Sequence, residues 1–327
     1  MASPSTTISR FDLSGSFEEF DLAMSRNGFI GHRVAVPRPV GIQKANIGKV
    51  PLEALLQDRS TQRAPGAPYS RSTFEFDQFG YECIEHGCEE AIDDWESHVY
   101  EDILDAEMIH QQRAEDALLR GYEREVAAAI FNATTFAGMT ADVTDEWDDF
   151  TNATPLDNIA TAKQAVLDAS GLRANALILN SKVFYNLRRV EQLVELIKYS
   201  SRADPGAITA SMIGQATDLP IVLVGDAVYN AAHEGQDPTP TSVWSDEYAM
   251  VARVAVSRDP REPCLARTFC WTGDGPSAPG TGEPLAVLTE EYREEGVRSS
   301  VIRARHNRDV VVMYAAAGYL IGNVTTI

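Results

Sequence analysis

Two short stretches of the sequence contain residue types that could bind a metal ion or exchange protons. The first is Cys83–Cys88. It reads CIEHGC, and its two cysteines and His86 could offer thiolate and imidazole ligands to zinc. The cysteine spacing differs from that of common zinc ribbons and fingers, and the ordinary alternative is a pair of reduced thiols packed as small apolar groups. Four cysteines in 327 residues are also too few for a disulfide scaffold. The sequence therefore predicts no bound metal and no cofactor.

The second stretch is an acidic run that contains Asp145, Glu146, Asp148 and Asp149. Paired carboxylates could bind a cation or exchange protons, as in an acid-rich metal-dependent hydrolase. The alternative is a solvated acidic loop in an acidic protein. The six histidines show no H-x-x-x-H spacing, and the sequence has no G-x-S-x-G elbow to place a nucleophile beside its base. We therefore predict that the protein is not an enzyme.

The charge of the chain limits its partners. It has 48 acidic and 28 basic residues, a net charge of −20, which disfavours tight binding of nucleic-acid phosphates. It also lacks an apolar run of about 18 residues or more, so no membrane span is expected. Arginine is concentrated in regions 59–71 and 293–308, and its guanidinium binds carboxylates through two parallel hydrogen bonds. We predict inter-subunit contacts, to carboxylates of neighbouring copies, for Arg59, Arg63, Arg71, Arg293, Arg298 and Arg303.

The element that must organise these residues is a long helix over Asp94–Phe131. This stretch contains no proline, consists mostly of strong helix formers, and begins with acidic residues, Asp93 included, that suit the positive end of a helix dipole. Apolar residues recur at helical spacing from Tyr100 to Ile130 and predict one buried stripe, with Glu115 and Arg124 among the residues that face water or neighbours. A helix of this length spans about 50 Å, so it acts as a spine that other elements cover.

Segments without a core of their own precede this helix. Residues 1 to about 50 contain several glycines and prolines and indicate an extended arm with one short strand. Residues 51–93 follow as a long two-stranded flap, rich in proline, glycine and arginine, that leads into the helix.

An α/β unit follows the helix. Thr154 and Pro155 predict a helix start, Ile159, Ala162, Val166 and Leu167 its inward face, and Gly171 its end. Strands are predicted at 176–179 and 219–224, with helices between them, the first capped by Ser181. The end of the chain predicts strands at 285–292, 297–305 and 310–316, with turns at 294–296 and 306–308.

The order of these pieces resembles one family. The stretches QRAPGAPY, YECIEHGCEEAIDD, ANALILNSKVFYNLRRV, LPIVLVGDAVYNAAHEG and EEYREEGVRSSVIRARHNRDVVVMYAAAGYLIGN occur in the order and spacing of a tailed-phage major capsid protein of the Hong Kong 97 fold. This resemblance implies an α+β, Hong Kong 97-type capsid fold with an N-terminal arm, an extended loop, a peripheral domain with a long spine helix, and an axial domain. The corresponding residues are 1–50 for the arm, 51–93 for the loop, 94–150 for the peripheral domain, 151–250 for the axial domain and 251–327 for strands that return to the peripheral domain.

The same resemblance implies a function. The chain would self-assemble into hexamers and pentamers that form an icosahedral shell around packaged viral double-stranded DNA, in a virion assembled in the host cytoplasm. Its partners would be copies of itself, with scaffold, portal and decoration proteins as further candidates, and the DNA would be enclosed without sequence-specific binding. An encapsulin-type compartment shell protein is the alternative within this fold.

Some members of the family join subunits by an isopeptide bond from a lysine of the extended loop. This chain has no lysine between Lys49 and Lys163, and arginine cannot replace the lysine amine as a nucleophile. The sequence therefore predicts a shell held together by non-covalent contacts.

Overall fold

The computed structural model describes residues 8–9, 28–49, 51, 56–58, 61–71, 75–95, 106–200, 208–233, 235–259, 261–273 and 287–326. Its helices are α1 (Gly31–Val34), α2 (Ala106–Ile130), α3 (Pro155–Ser170), α4 (Ser181–Leu187), α5 (Glu191–Ser200) and α6 (Ala210–Thr217), with a 3₁₀ turn at Ala315–Ala317. Its strands are β1 (Ile8–Ser9), β2 (Val36–Val40), β3 (Lys44–Lys49), β4 (Asp77–Glu82), β5 (Ile84–Asp93), β6 (Thr140–Asp142), β7 (Ala176–Asn180), β8 (Ile221–Gly225), β9 (Val228–Asn230), β10 (Pro240–Ser242), β11 (Ala249–Ala252), β12 (Ala266–Trp271), β13 (Leu288–Glu294), β14 (Ser299–Val312) and β15 (Gly318–Gly322). The chain is a mixed α/β protein, and none of the helices in the described part is long and apolar enough to cross a membrane.

Strand β14 is the centre of the larger sheet. It pairs antiparallel with β13 along 299–305, with β5 along 299–308 and with β12 along 308–312, and β12 in turn pairs parallel with β2. The predicted turn at 306–308 is therefore wrong, because these residues lie inside one strand of 14 residues. His306, Asn307 and Arg308 are buried there, and the helix above them supplies the partner of the arginine. Strand β12 has no counterpart among the strands predicted from the sequence.

Helix α2 lies across this sheet and is buried along two rows. One row is the predicted apolar stripe, which includes Ala114, Leu118, Tyr122 and Val126. The second row has spacing four and consists of Gln111, Glu115, Leu119, Glu123 and Ala127. Glu115, predicted to face water or neighbours, does not face water, since the residue is 1% exposed. In this second row Glu115 bonds Thr289 of the larger sheet, whereas Glu123 bonds Ile30 and Trp244.

The observed helix has 25 residues, and residues 96–105 of the predicted helix lie outside the described part of the chain. Asp93, predicted in the acidic first turn of the helix, is instead the last residue of β5 and pairs with Ser299. The pairing with β14 thus keeps the chain extended as far as Asp93, and Asp94 and Trp95, where the helix was predicted to begin, are helical.

The α/β unit contains a five-stranded sheet in the order β6, β15, β11, β7, β8. Successive side chains along each strand point into two different cores, as the two-residue period of a strand requires. Ile178 and Met250 face the core shared with α2, and Leu177 and Val251 face helices α3 to α6. Both faces are covered, which explains why β11 is apolar throughout and β7 is apolar up to its last residue, Asn180.

Helix boundaries in this unit follow local sequence signals, with three differences. Gly171 ends α3 in a left-handed conformation at φ 68°, as predicted. Thr154 stands at the start of α3 but makes no side-chain capping bond, and Leu167 is 37% exposed instead of inward. Asn180, one residue before the predicted cap at Ser181, caps α4 by accepting a hydrogen bond from the Lys182 amide.

A two-stranded antiparallel ribbon, β3 with β4, packs against the larger sheet. It is attached at both ends: Tyr81 at one end stacks on Phe269 with ring centroids 4.6 Å apart, and Lys49 at the other end donates to the Met313 carbonyl at 3.0 Å. The first strand of the ribbon begins at Lys44, so the described part of the region before residue 50 contains three strands, β1, β2 and β3, instead of the single strand expected there.

Candidate functional site

The six arginines predicted to contact neighbouring copies do not form one cluster in the described part of the chain. Arg59 lies outside the described residues. The other five occupy three places: the face of the larger sheet (Arg303), the end of that sheet (Arg293 and Arg298), and the segment between the ribbon strands (Arg63 and Arg71).

On the sheet face, Arg303 lies between two glutamates because of strand register. Glu89 on β5 and Glu290 on β13 both stand opposite it, and their oxygens lie 2.6 and 3.6 Å from its guanidinium. Its guanidinium also lies 5.0 Å from the ring centre of Tyr292. The Glu89 hydrogen bond raises the pKa of Arg303. Arg305 repeats the pattern by pairing with Glu290 at 2.9 Å.

At the end of the sheet, Asp94 receives two arginines. Arg293 binds both carboxylate oxygens, at 2.5 and 2.6 Å, in a forked arrangement that holds the pKa of Asp94 below its ordinary value. Arg298 approaches to 3.8 Å with a side chain that is 80% exposed, and its backbone is left-handed at φ 54°. Trp95 follows at 74% exposure. This end of the sheet therefore combines the exposed ring of Trp95 with the largely exposed guanidinium of Arg298.

Between the ribbon strands, Arg63 organises a tight turn. The turn Ala64–Ala67 is closed by a 3.1 Å bond from the Ala67 amide to the Ala64 carbonyl, and Gly66 supplies the positive φ of 83°. Arg63 donates to the Ala67 carbonyl at 2.5 Å and stacks over Tyr69 at 4.8 Å. Tyr69 is 71% exposed, so the turn presents a guanidinium and an aromatic ring to the outside.

The geometry of the Cys83–Cys88 stretch argues against a shared metal. The chain is extended here, and the two thiols enter different cores: Cys83 packs with Tyr81 and Phe269, whereas Cys88 packs towards helix α2. Burial raises the pKa of Cys83 to about 11, which keeps it protonated. Within the described residues, no group of three or more His, Cys, Asp or Glu side chains is placed to hold a metal ion.

The acidic run has structural partners. Asp149 accepts from the amides of Thr151 and Asn152, both at 3.2 Å, and from the Asn152 side chain, which lowers its pKa. Glu146 accepts from Asn323 at 3.1 Å, and Asp148 accepts from the amide of Thr326 at 3.0 Å. These carboxylates therefore stabilise a loop and attach the end of the chain to it.

Two buried charged residues were not identified from the sequence. Glu123 lies in the second buried row of α2, where a spacing of four from Leu119 and Ala127 was an available signal. Arg267, 1% exposed in β12, donates to the carbonyls of Ser257, Asp259 and Glu262, and no local pattern indicated it.

Comparison with known proteins shows which proteins the chain is similar to. No family model matches it. Over 246 residues, 73% of each chain, it is 26% identical to the major capsid protein of Burkholderia phage BcepMu. The chain resembles phage major capsid proteins. The resemblance predicted from the sequence is thereby confirmed.

Solved structures agree with this resemblance at the level of the fold. A phage-related protein from Bordetella bronchiseptica RB50 superimposes with a TM-score of 0.71 at 20% identity, covering 98% of both chains. The mature capsid of bacteriophage PhiM1 gives a TM-score of 0.56 at 14% identity, covering 89% of this chain and 86% of the capsid chain. The α+β class predicted from the sequence therefore corresponds to a mixed α/β fold like those of phage capsid proteins.

Proposed function

We propose that this chain is a major capsid protein that self-assembles into hexamers and pentamers and closes an icosahedral shell around packaged viral double-stranded DNA. The observation that carries the proposal is the sequence similarity to the BcepMu major capsid protein along most of both chains. Its role is structural, and its place is the capsid of a virion assembled in the host cytoplasm.

We propose the Hong Kong 97-type arrangement for the parts of the chain: arm 1–50, extended loop 51–93, peripheral domain 94–150 with the spine helix, axial domain 151–250, and return strands 251–327. The ribbon outside the larger sheet, α2 across that sheet and the α/β unit behind it support the arrangement. The pairing of β3 with β4 favours an extended loop that begins near Lys44.

The shell proposal is tested by expressing the full chain and imaging it by negative-stain electron microscopy. Closed, regular particles are expected. A monodisperse monomer of 35.8 kDa, both alone and with the products of its neighbouring genes, would overturn the proposal. Particles that contain protein cargo instead of viral DNA would favour the encapsulin-type alternative.

We propose that Arg59, Arg63, Arg71, Arg293, Arg298 and Arg303 contribute to contacts between copies. The exposure of the Arg298 side chain and the outward-facing turn at Arg63 support this for two of them. Arg293 and Arg303 already bind Asp94 and Glu89, so their contribution would be to extend an existing pair to a neighbour.

The contact proposal is tested with Arg63→Ala and Arg298→Ala, each compared with Arg173→Ala, which removes an exposed arginine of the α/β unit. The first two variants should assemble at a higher threshold concentration than the wild type at equal subunit stability, and Arg173→Ala should not. Equal thresholds for all three variants would contradict the proposal.

Copies of the chain are the principal partners that we propose, with scaffold, portal and decoration proteins as further ones. The packaged DNA would be enclosed without sequence-specific binding, because a net charge of −20 repels its phosphates.

A further inference from the structure

The carboxylate of Glu123 lies where three parts of the chain meet, and the residue is 1% exposed. Its Oε1 accepts from the Ile30 amide at 2.8 Å and from Trp244 Nε1 at 2.7 Å, and its Oε2 accepts from the Gly31 amide at 2.8 Å. The helix α2 supplies the acceptor, the N-terminal segment supplies two donors, and the loop before β11 supplies the third. These three donors are neutral N–H groups. The contact therefore depends more on the alignment of the N–H bonds with the carboxylate oxygens than on attraction between opposite charges.

The segment 28–35 fits its place closely. Phe29, Ile30 and Val34 are each 5% exposed or less. A Cβ on Gly31 would lie 2.6 Å from Glu123 Oε2, and a Cβ on Gly28 would lie 2.3 Å from the Cβ of Asp226. Side chains at these two positions would push the segment away from α2 and from the α/β unit. The two glycines are therefore part of the same contact.

Two further bonds attach this segment to its surroundings. The Tyr122 hydroxyl lies 3.2 Å from the Ala35 carbonyl and 2.8 Å from the Thr268 hydroxyl. The Asp226 amide donates to the Gly28 carbonyl at 3.2 Å. One segment is thus bonded to the spine helix, the larger sheet and the α/β unit together.

We propose that Glu123 is a positioning residue for assembly: it fixes segment 28–35 against α2 and Trp244, and thereby fixes the α/β unit relative to the spine helix. The assembly part rests on the proposed shell function, since copies fit together regularly only if the parts of each subunit keep one relative placement.

The experiment uses the full chain with two substitutions. Glu123→Gln keeps the side-chain shape and one carbonyl acceptor but turns an N–H₂ group towards backbone amides, and Trp244→Phe removes the indole donor together with part of a fully buried ring system. Glu107→Gln, on the exposed side of the same helix, is the matched control. Hydrogen exchange is measured on the unassembled subunit, at the amides of Ile30 and Gly31 and at Ile302 in β14.

In Glu123→Gln, exchange at Ile30 and Gly31 should rise about tenfold or more, with exchange at Ile302 unchanged. Trp244→Phe should produce a smaller rise at the same two amides, and it remains informative if the first variant does not fold. Unchanged protection at Ile30 and Gly31, or an equal rise at Ile302, would overturn the positioning role, because the second result is what a general loss of stability produces.

Assembly provides the second readout. Glu123→Gln should give fewer closed particles and a broader distribution of particle diameters than Glu107→Gln at matched subunit stability. If Glu123→Gln closes particles normally although the amides of Ile30 and Gly31 exchange faster, the link to assembly is overturned. If the wild-type chain forms no particles, the shell function fails and the assembly link with it, whereas the exchange data still decide whether Glu123 holds the segment.

Discussion

Arg308 on β14 donates through Nε to the carboxylate of Glu125 on α2 at 2.8 Å, and the arginine side chain is 3% exposed. The guanidinium also bonds His306 and lies 5.4 Å from the ring centre of Tyr122. The pair joins the spine helix to the middle of the longest strand. The arginine is buried and the glutamate is 34% exposed. Removing the glutamate should therefore change the free energy of unfolding by a different amount from removing the arginine.

The substitution Glu125→Ala should lower the free energy of unfolding by about 3–5 kcal/mol, because it leaves the buried charge of Arg308 without its carboxylate. Glu89→Ala is the matched control, since it removes a carboxylate from the more exposed Arg303, and should cost about 0–1 kcal/mol. Urea unfolding of the subunit measures both values. Similar losses in the two variants would show that the burial of Arg308 does not determine the effect.

The substitution Gly28→Ala should destabilise the subunit more than Gly138→Ala. Both glycines have positive φ, 72° and 84°, so each alanine is strained by about 1–2 kcal/mol. A Cβ at 138 meets open space, whereas one at Gly28 lies 2.3 Å from the Cβ of Asp226. Overpacking should therefore add about 1–3 kcal/mol in Gly28→Ala alone. Thermal or urea unfolding that ranks the two variants equally would contradict the close approach at Gly28.

Glu115 should make stability depend on pH. Burial raises its pKa, although hydrogen bonds from Gln111 and Thr289 oppose the shift. Between the ordinary value of about 4.3 and the raised value, the folded chain holds a proton that the unfolded chain has lost. The free energy of unfolding therefore falls as pH rises through this window.

Glu115→Gln should remove that fall. Urea unfolding across the acidic to neutral range should give a flatter profile for Glu115→Gln than for the wild type, and Glu107→Gln on the exposed side of the helix should leave the profile unchanged. If the profiles of Glu115→Gln and the wild type run parallel, Glu115 does not titrate in this window.

Mature particles should contain no covalent bonds between subunits. The chain has no lysine between Lys49 and Lys163, and its four cysteines are free, with Cys88 half-buried and Cys83, Cys264 and Cys270 buried. Particles boiled in detergent with reductant should therefore give a single gel band at 35.8 kDa. A ladder of linked oligomers would show that another nucleophile joins the subunits.

Local features of the structure could be predicted where the signal lies within a few residues. The end of α3 at Gly171 follows from one glycine, and strands β7 and β8 follow from short apolar runs, although only β7 is buried throughout. Asn180 and Ser181 are both good capping residues, so the sequence alone does not decide which of the two caps α4.

Features that depend on distant partners could not be predicted. The polar triplet His306, Asn307 and Arg308 has the composition of a turn, and only pairing with β5 and β12 makes it a strand. The arginines of the candidate site were identified, but not the intrachain carboxylates of Arg293 and Arg303, which lie 199 and 214 residues away along the chain. Glu115 was placed wrongly and Glu123 was missed because their partners are distant along the chain: Thr289 on β13 for Glu115, and Ile30, Gly31 and Trp244 for Glu123.

The pairing of β5 with β14 also determines when the subunit can fold during its synthesis. Strand β5 ends at Asp93, but its partner is complete only at Val312, so the ribosome must make the whole intervening stretch before the central sheet can close. The α/β unit depends in the same way on β15, which ends at Gly322 and lies between β6 and β11. Such non-local pairing makes folding slow and leaves apolar strands uncovered on the nascent chain. The central sheet therefore cannot form until β14 has left the ribosome, although β5 is made much earlier.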